Sequence, residues 1–228
     1  MIFLKKRYLF TISLTLLFII FAYLYLDKNI ARYFLARAST YEAAGDFISI
    51  FGESYWYIGA ALIGFLFFGF FKKNELYKQR FLFLLYTNLF SGLLSIILKN
   101  IFGRIRPWGL RKGGDEYGFL LFQNFDMGFV EKMKYHFVTL ADAPTTYTSF
   151  PSGHSTTVFA VFTYLILLFP RYLYLWLGIS VILVSGRIMD SDHFLSDITA
   201  GALLGTLSTL FLYSKLKEKI FKQADGTA

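Results

Sequence analysis

Long runs of apolar residues, separated by charged segments, dominate the pattern along this chain. Six runs stand out, at residues 8–26, 55–71, 81–98, 152–169, 172–186 and 194–213. The first three have 19, 17 and 18 residues and no charged side chain, and a helix needs roughly 17–25 residues to cross a bilayer. The last three are shorter, or carry a polar or charged residue near one end. The pattern predicts an all-α polytopic membrane protein, a six-helix bundle forming one membrane-embedded domain over residues 1–228.

The segments between these runs differ in length and character. Residues 27–54 mix apolar and charged side chains, which fits an amphipathic helix on the outer leaflet and equally an ordinary structured loop. Residues 108–150, between spans three and four, are too long for a bare connector, so we expect short helices that cap a site. We expect His136, in that segment, to be a surface or packing residue. Gly201 and Gly205 form a GxxxG pattern, which predicts a close helix contact within the bundle.

The first apolar run is preceded by basic residues, as a secretory signal peptide would be. It is longer than the usual apolar core of about 7–15 residues in a signal peptide. A small-x-small cleavage site does not follow it. We therefore expect an uncleaved first span.

Composition supports the membrane assignment and suggests an orientation. Of the 228 residues, 56% are hydrophobic, against roughly 45–50% in soluble domains. The net charge is +8. With six spans, the short segments on the same side of the membrane as the N-terminus carry 12 of the 23 basic residues and only three acidic residues. Because basic segments stay in the cytoplasm, we expect both termini there and interpret the charge as a topology signal, with no nucleic-acid partner. The chain has no cysteine, which excludes disulfides, a thiol nucleophile and cysteine metal ligands.

Candidate chemistry concentrates in the stretch from Ser185 to Asp197. His193 and Asp197 are spaced i and i+4, so on a helix they would share one face within side-chain reach. An aspartate there can accept the Nδ1–H of the imidazole and leave Nε2 free, as a carboxylate does for a catalytic histidine. Taken alone, however, the pattern is more typical of a structural His–Asp pair at a helix start.

Two further segments add to this stretch. Lys99 closes the third apolar run, and Arg106 follows seven residues later, just before Pro107. Pro151, Ser152, Gly153 and His154 open the fourth run as a helix start. The first N–H groups of a helix lack internal partners and favour anions.

With six spans, all of these residues fall at the outer ends of helices, together with Arg187. Three cations, a helix N-terminus and two histidines indicate a site for a compact anion, and phosphate fits best.

The three segments together resemble the type-2 phosphatidic acid phosphatase superfamily, whose signature is KxxxxxxRP, then PSGH, then SRxxxxxHxxxD. They stand here as Lys99–Pro107, Pro151–His154 and Arg187–Asp197, in the same order and with the same internal spacing. One position departs: Gly186 stands where the family usually has serine before the arginine, a change that we do not expect to threaten activity.

The resemblance implies a role for each residue. His193 would attack phosphorus and form a phosphohistidine, oriented by Asp197. His154 would protonate the leaving alkoxide and then activate water. The phosphoryl oxygens would be bound by Lys99, Arg106, Ser152, Gly153 and Arg187. The resemblance implies no metal and no cofactor.

Three functions remain open at this point. The first is an integral-membrane lipid phosphatase in a bacterial inner membrane, with its site facing the periplasm. Its substrate would be an envelope lipid such as lipid A, undecaprenyl pyrophosphate, phosphatidylglycerol phosphate or phosphatidic acid. The second is a vanadate-dependent haloperoxidase, but those relatives are soluble and six spans argue against it. The third is a non-enzymatic phospholipid-binding or transport protein that uses the same anion site. The sequence leaves the lipid and the oligomeric state undetermined.

Overall fold

The computed structural model describes residues 2–112, 117–122 and 126–221. Within these ranges the chain is helical and has no extended strands, only isolated backbone bridges from Arg104 to Phe119 and Thr148. The helices are α1 (Ile2–Phe21), α2 (Asp27–Leu35), α3 (Ala38–Ile50), α4 (Ser54–Leu66), α5 (Glu75–Phe102), α6 (Phe129–Asp142), α7 (Pro144–Tyr147), α8 (Gly153–Leu168), α9 (Leu173–Met189) and α10 (Leu195–Phe221). The glycines at 113 and 114 and the chain after residue 221, both part of the predicted domain, lie outside the described residues.

The predicted all-α polytopic architecture is confirmed. In the described ranges, five helical stretches are long and apolar enough to cross a membrane: Tyr8–Leu35, Ala38–Phe71, Glu75–Phe102, Pro170–Met189 and Leu195–Lys217. The remaining predicted span corresponds to α8, which has only 16 residues and so rises about 24 Å. Most of its side chains are buried against neighbouring helices. The short α8 is therefore the central helix of the bundle.

The helices extend beyond the apolar runs because polar residues form their ends. Helix α5 begins six residues before its run: the side chain of Asn74 accepts the N–H of Tyr77 at 3.1 Å, and Glu75 pairs with Lys78 at 2.9 Å. It ends at Gly103, whose φ of +58° is the left-handed conformation that glycine adopts readily. Apolarity alone therefore underestimates the length of the helix.

Residues 27–54 are helical rather than a loop. Helix α2 continues α1 through a π-helical turn at Ala22–Leu26, and α3 packs against α9. The contact with α9 is close: a Cβ on Gly45 would lie 2.8 Å from the carbonyl oxygen of Gly186, and a Cβ on Gly186 would lie 2.8 Å from that of Gly45. This approach accounts for glycine at position 186, because a serine side chain would collide with α3.

The GxxxG prediction is confirmed by the packing of α10 on α8. A Cβ on Gly201 would lie 2.4 Å from the carbonyl oxygen of Ser152, and one on Gly205 would lie 2.2 Å from that of Thr156. The two backbones therefore touch along one side, which fixes the start of α8 against the start of α10.

The segment between α5 and α8 contains short helices, as expected: α6, α7 and single 3-10 turns at Pro107–Lys112 and Leu120–Phe122. Its backbone is tied to the end of α5, since Leu120 N–H donates to Gly103 O at 2.7 Å and Ser149 N–H donates to Arg104 O at 3.0 Å. His136 is a packing residue: its ring is buried, with Nε2 2.8 Å from Asn100 O. These contacts fix the chain around Arg104 and Ser149.

Candidate active site

The structure brings the predicted site residues together at one end of the bundle. Lys99 lies in the last turn of α5, Arg187 lies in the last turn of α9, and Ser152 caps the start of α8. His193 lies in the turn between α9 and α10. Three chain segments that are far apart in sequence thus converge at this end.

The start of α8 has the form of an anion-binding helix terminus. Ser152 is its N-cap, with Oγ accepting the N–H of Ser155 at 3.3 Å, and Gly153 is the first helical residue. The first N–H groups of the helix have no intrahelical acceptor. Lys99 lies beside them: a Cβ on Gly153 would be 3.6 Å from Lys99 Cε, and the lysine ammonium donates to the carbonyl oxygen of Thr148.

His193 is placed differently from the prediction. It precedes α10 rather than lying on it, so its Nδ1 is 3.8 Å from Asp197 Oδ2, beyond hydrogen-bond distance. Ser149 lies between them, with Oγ 3.4 Å from His193 Nδ1 and 2.6 Å from Asp197 Oδ2. The expected direct His193–Asp197 hydrogen bond was wrong because a helix face was assumed where the chain turns.

The serine hydroxyl indicates which nitrogen of His193 is free. Ser149 donates its proton to the Asp197 carboxylate, so its oxygen is left to accept from Nδ1–H of the imidazole. That arrangement leaves the lone pair on Nε2. The side chain of His193 is 3% exposed. The backbone N–H of His193 donates to Arg187 O at 2.9 Å.

The neutral form of this imidazole is favoured. Burial lowers the pKa of His193 well below its ordinary value, and the nearby cations Lys99, Arg106 and Arg187 lower it further, while Asp192 acts in the opposite direction. A neutral imidazole has the free lone pair that nucleophilic attack requires.

Asp197 is fully buried, and both of its carboxylate oxygens accept hydrogen bonds. Oδ1 accepts from Arg104 Nη1 at 2.5 Å, and Oδ2 accepts from Ser149 and from the N–H of Phe194 at 2.9 Å. Arg104 is fully buried as well, and its other terminal nitrogen pairs with Asp27 Oδ2 at 2.8 Å. A buried Asp27–Arg104–Asp197 chain therefore connects α2 to the turn that holds His193.

Sequence reasoning missed Ser149, Arg104 and Asp27. Two weak signals were available: Arg104 lies inside the first motif, directly after the glycine that ends α5, and Asp27 is the charge that ends the first apolar run. Ser149 lies only two residues before Pro151. None of these signals identifies a partner, because the contacts span 48 to 93 positions in sequence.

Arg106 and Arg187 meet at a carboxylate. Asp192 Oδ2 is 2.8 Å from Arg106 Nη1 and also contacts Arg187 Nη2. Burial acts to raise the pKa of Asp192, but Arg187 and Arg106 outweigh it and hold the pKa below the ordinary value. Arg187 Nη1 is 3.0 Å from Asp190 Oδ2, and burial raises the pKa of Asp190 to about 6.

His154 faces the start of α4. Its Nδ1 lies 3.8 Å from Glu53 Oε1, and neither ring nitrogen has a hydrogen-bond partner among the described residues. A Cβ on Gly52 would lie 2.1 Å from His154 Nε2, so only glycine leaves room for the ring. His154 is thus enclosed by protein, and both of its ring nitrogens are buried without a hydrogen-bond partner among the described residues.

A cavity of about 380 Å³ opens beside His154 between α4, α5 and α8. Lys99 and Glu53 line its polar end, and Asn88 and Leu93 line the part further along α5. It thus joins charged groups at the end of the bundle to apolar side chains within it. Among the described residues, no group of three or more histidine, aspartate or glutamate side chains is arranged to hold a metal ion.

Comparison with known proteins finds one matching family model and several similar proteins. The sequence model of the PAP2 superfamily matches residues 80–221, which include every candidate residue from Lys99 to Asp197. The lipid A 1-phosphatase of Rhizobium johnstonii is 33% identical over 178 residues, covering 73% of this chain and 64% of that protein. That of Rhizobium etli is 31% identical over 194 residues, covering 78% and 74%.

A shorter similarity involves the bacitracin transport permease protein BcrC of Bacillus licheniformis. It is 37% identical over 65 residues, which cover 28% of this chain and 32% of that protein. No solved structure matches the chain significantly.

Proposed function

Because this chain belongs to the PAP2 superfamily, we propose that it is a membrane lipid phosphatase that acts through a phosphohistidine. One observation carries the proposal: a buried imidazole, that of His193, shares one end of the bundle with three cations and a helix N-terminus, and burial and these cations lower its pKa. The cations and the N-terminus are suited to a phosphoryl group. The imidazole is suited to attack it.

In this proposal the phosphoryl oxygens are bound by Lys99, Arg106, Arg187, Ser152 and the N–H of Gly153. Phosphoryl transfer spreads negative charge over these oxygens, so groups already fixed around them stabilise the transition state. The ends of α5, α8 and α9 supply all of these groups except Arg106, which lies in the segment after α5.

The reaction has two steps. Nε2 of His193 attacks phosphorus while the bond from phosphorus to the lipid oxygen breaks, and protonated His154 gives its proton to that oxygen. The positive charge on the imidazole is stabilised by Asp197 through Ser149. Neutral His154 then takes a proton from water, and the resulting hydroxide attacks the phosphohistidine, releasing phosphate and restoring both histidines.

The substrate class that we favour is a bacterial envelope lipid, with lipid A phosphate first. The support is the similarity to two lipid A 1-phosphatases, although the aligned region spans 64% of the length of the first of them. The cavity beside His154, with an apolar part along α5, offers room for part of a lipid next to the phosphate site. Undecaprenyl pyrophosphate, phosphatidylglycerol phosphate and phosphatidic acid remain candidate substrates, and together with lipid A they form the panel of lipids for the assay below. We propose that the site faces the periplasm, with both termini in the cytoplasm.

A non-enzymatic role in phospholipid binding or transport is the second candidate, and the similarity to a protein named a transport permease favours it. Both roles would use the same anion site. Turnover separates them, because a binding protein releases no phosphate.

The test is phosphate release by purified protein in detergent with EDTA present, beside His193→Ala. We expect release from one lipid of the panel, lost in His193→Ala and unaffected by EDTA. Release from the variant equal to wild type would remove His193 as the nucleophile. Loss of activity with EDTA would overturn the metal-independent mechanism, and no release from any lipid would favour the binding role.

A further inference from the structure

The carboxylate of Asp192 occupies the space between the two arginines of the candidate phosphate site. One of its oxygens, Oδ2, contacts both guanidinium groups, that of Arg106 at 2.8 Å and that of Arg187. Two guanidinium groups meeting at one oxygen is also the arrangement that an oxygen of a bound phosphate would adopt. An internal carboxylate thus already satisfies donors that a phosphate would need.

The backbone of the turn that carries Asp192 is held by its neighbours. Its backbone N–H donates to Asp190 Oδ1 at 3.0 Å, and Asp190 Oδ2 is 3.0 Å from Arg187 and 3.3 Å from the hydroxyl of Ser49 on α3. The turn that carries Asp192 is therefore anchored on the side facing α3. The Asp192 side chain is 28% exposed, so it has room to swing toward solvent when an anion enters.

The acids also change the charge of the site. Lys99, Arg106 and Arg187 alone would form a site of strong positive charge, which would bind any small multivalent anion. Asp192 and Asp190 offset part of that charge where the arginines lie. An entering phosphate must displace Asp192 from two arginines and then lies next to a negative charge.

We propose that Asp192 is a specificity-determining residue: an internal carboxylate that competes with phosphate for Arg106 and Arg187 and so excludes free phosphate while admitting phosphate attached to a lipid. A lipid is concentrated at the site by the membrane and gains further binding from its apolar chains. Inorganic phosphate binds only through its charge and hydrogen bonds. Competition from the Asp192 carboxylate therefore weakens its binding more than that of the lipid. The inference rests on the proposed function, since it assigns the two arginines to the substrate phosphate.

The first measurement is the binding of inorganic phosphate and of orthovanadate to detergent-purified protein by calorimetry. It is made on wild type, Asp192→Asn and Asp192→Glu. Asp192→Asn keeps the size and removes the charge, and Asp192→Glu keeps the charge. Asp142→Asn, which removes an exposed carboxylate at the end of α6, is the matched control.

We expect Asp192→Asn to bind both anions about tenfold more tightly, since a unit charge a few ångströms away changes binding by at least that factor. Asp192→Glu and Asp142→Asn should bind as wild type does. Equal or weaker binding by Asp192→Asn, including no detectable binding by any of the proteins, would overturn the inference. Weaker binding would identify Asp192 as a residue that positions the arginines for the substrate.

The second measurement is turnover of the lipid substrate with added phosphate. In Asp192→Asn the inhibition constant for phosphate should fall about tenfold, while KM for the lipid changes less. If KM falls by the same factor as the inhibition constant, Asp192 does not discriminate and the inference fails. If no lipid is hydrolysed, the proposed function fails, and the calorimetric result still decides whether the carboxylate competes with phosphate.

Discussion

At the scale of single residues, His193 contacts a hydroxyl that belongs to none of the three motifs, and in the proposed mechanism its reactivity depends on that hydroxyl. Ser149 connects His193 Nδ1 to the Asp197 carboxylate, and Arg104 holds that carboxylate from the other side. The two motif residues therefore act through neighbours.

Removing the Ser149 hydroxyl tests this connection. In Ser149→Ala we expect kcat to fall about 10- to 100-fold, because a hydrogen bond to a charged group contributes about 1.5–3 kcal/mol, while KM changes little. Ser185→Ala is the control, since Ser185 is half-buried and its hydroxyl donates to Ile182 O within its own helix. A Ser149→Ala enzyme with wild-type kcat would show that Asp197 does not act through Ser149.

The neutral state of His193 gives a pH prediction. Since burial and three cations lower its pKa, protonation of His193 should not reduce kcat/KM until the pH falls well below 6.5. Arg187→Gln removes one of these cations, so the imidazolium form of His193 is less disfavoured. The fall of kcat/KM at the acid side of the pH profile should therefore occur at higher pH.

Asp190 also titrates in this range, because burial raises its pKa to about 6. Asp190→Asn separates the two groups: an acid limb that disappears in this variant belongs to Asp190. An acid limb of Arg187→Gln at wild-type pH or lower would contradict the electrostatic origin of the His193 pKa.

The residues that were predictable from sequence are those whose type and spacing recur within a few positions, such as Lys99, Arg106 and the group at the start of α8. Asp27, Arg104 and Ser149 were not predictable, because their roles arise from contacts between distant segments. The prediction of a direct His193–Asp197 hydrogen bond was wrong for a local reason, because spacing alone does not reveal that the chain turns before α10.

At the scale of elements, the site depends on how closely α8 and α10 approach. Ser152 and Gly153 lie at the start of α8, and the turn carrying His193 leads into α10. The backbone contact at Gly201 and Gly205 therefore sets the distance between the proposed phosphate-binding N–H groups and the imidazole.

A methyl group at this contact should separate the two helices. We expect Gly205→Ala to lower stability by about 1–3 kcal/mol through overpacking, measured as the thermal midpoint in detergent, with a loss of activity. Gly178→Ala in α9 is the matched control, because a Cβ there meets nothing within 4 Å and alanine is favoured over glycine in a helix. A Gly205→Ala protein as stable as the control would show that the helices can separate at no cost.

The sequence predicted the helices well where apolar residues continue and less well where polar residues extend them. Each apolar run coincides with helical structure, but Asn74 and Glu75 begin α5 before its run. Residues 27–54 remained ambiguous because α3 is partly covered by α9, a contact that depends on Gly45 and Gly186 rather than on a hydrophobic pattern.

At the scale of the whole molecule, the proposed function requires an orientation. The site lies at the end of the bundle that contains the start of α10, and residue 214 lies about 28 Å along that helix toward the other end. In the orientation that we propose from the basic segments, the site end faces the periplasm.

The absence of cysteine makes this orientation measurable by single substitutions. Thr145→Cys places an exposed thiol in α7, and Ser214→Cys places one near the opposite end of α10. In spheroplasts, a membrane-impermeant maleimide should label Thr145→Cys directly and Ser214→Cys only after permeabilisation. The reverse labelling pattern would place the site in the cytoplasm.

The substrate lipid is the property that sequence predicts least. Phosphate chemistry follows from a few residues of fixed type, whereas a head group is recognised by the shape of segments such as 27–54 and 108–150, for which no motif exists. Two relatives are named lipid A 1-phosphatases, so an envelope lipid as substrate remains our proposal.

The central claim is that the phosphoryl group is transferred from the lipid to His193 before it reaches water. The most direct test is to trap the phosphohistidine intermediate. Wild-type protein turning over its lipid is quenched in base, in which phosphohistidine is stable, then digested and analysed by mass spectrometry. We expect one phosphorylated histidine, His193, absent in His193→Ala. Turnover without a phosphorylated histidine, or with phosphate on another residue, would contradict the mechanism.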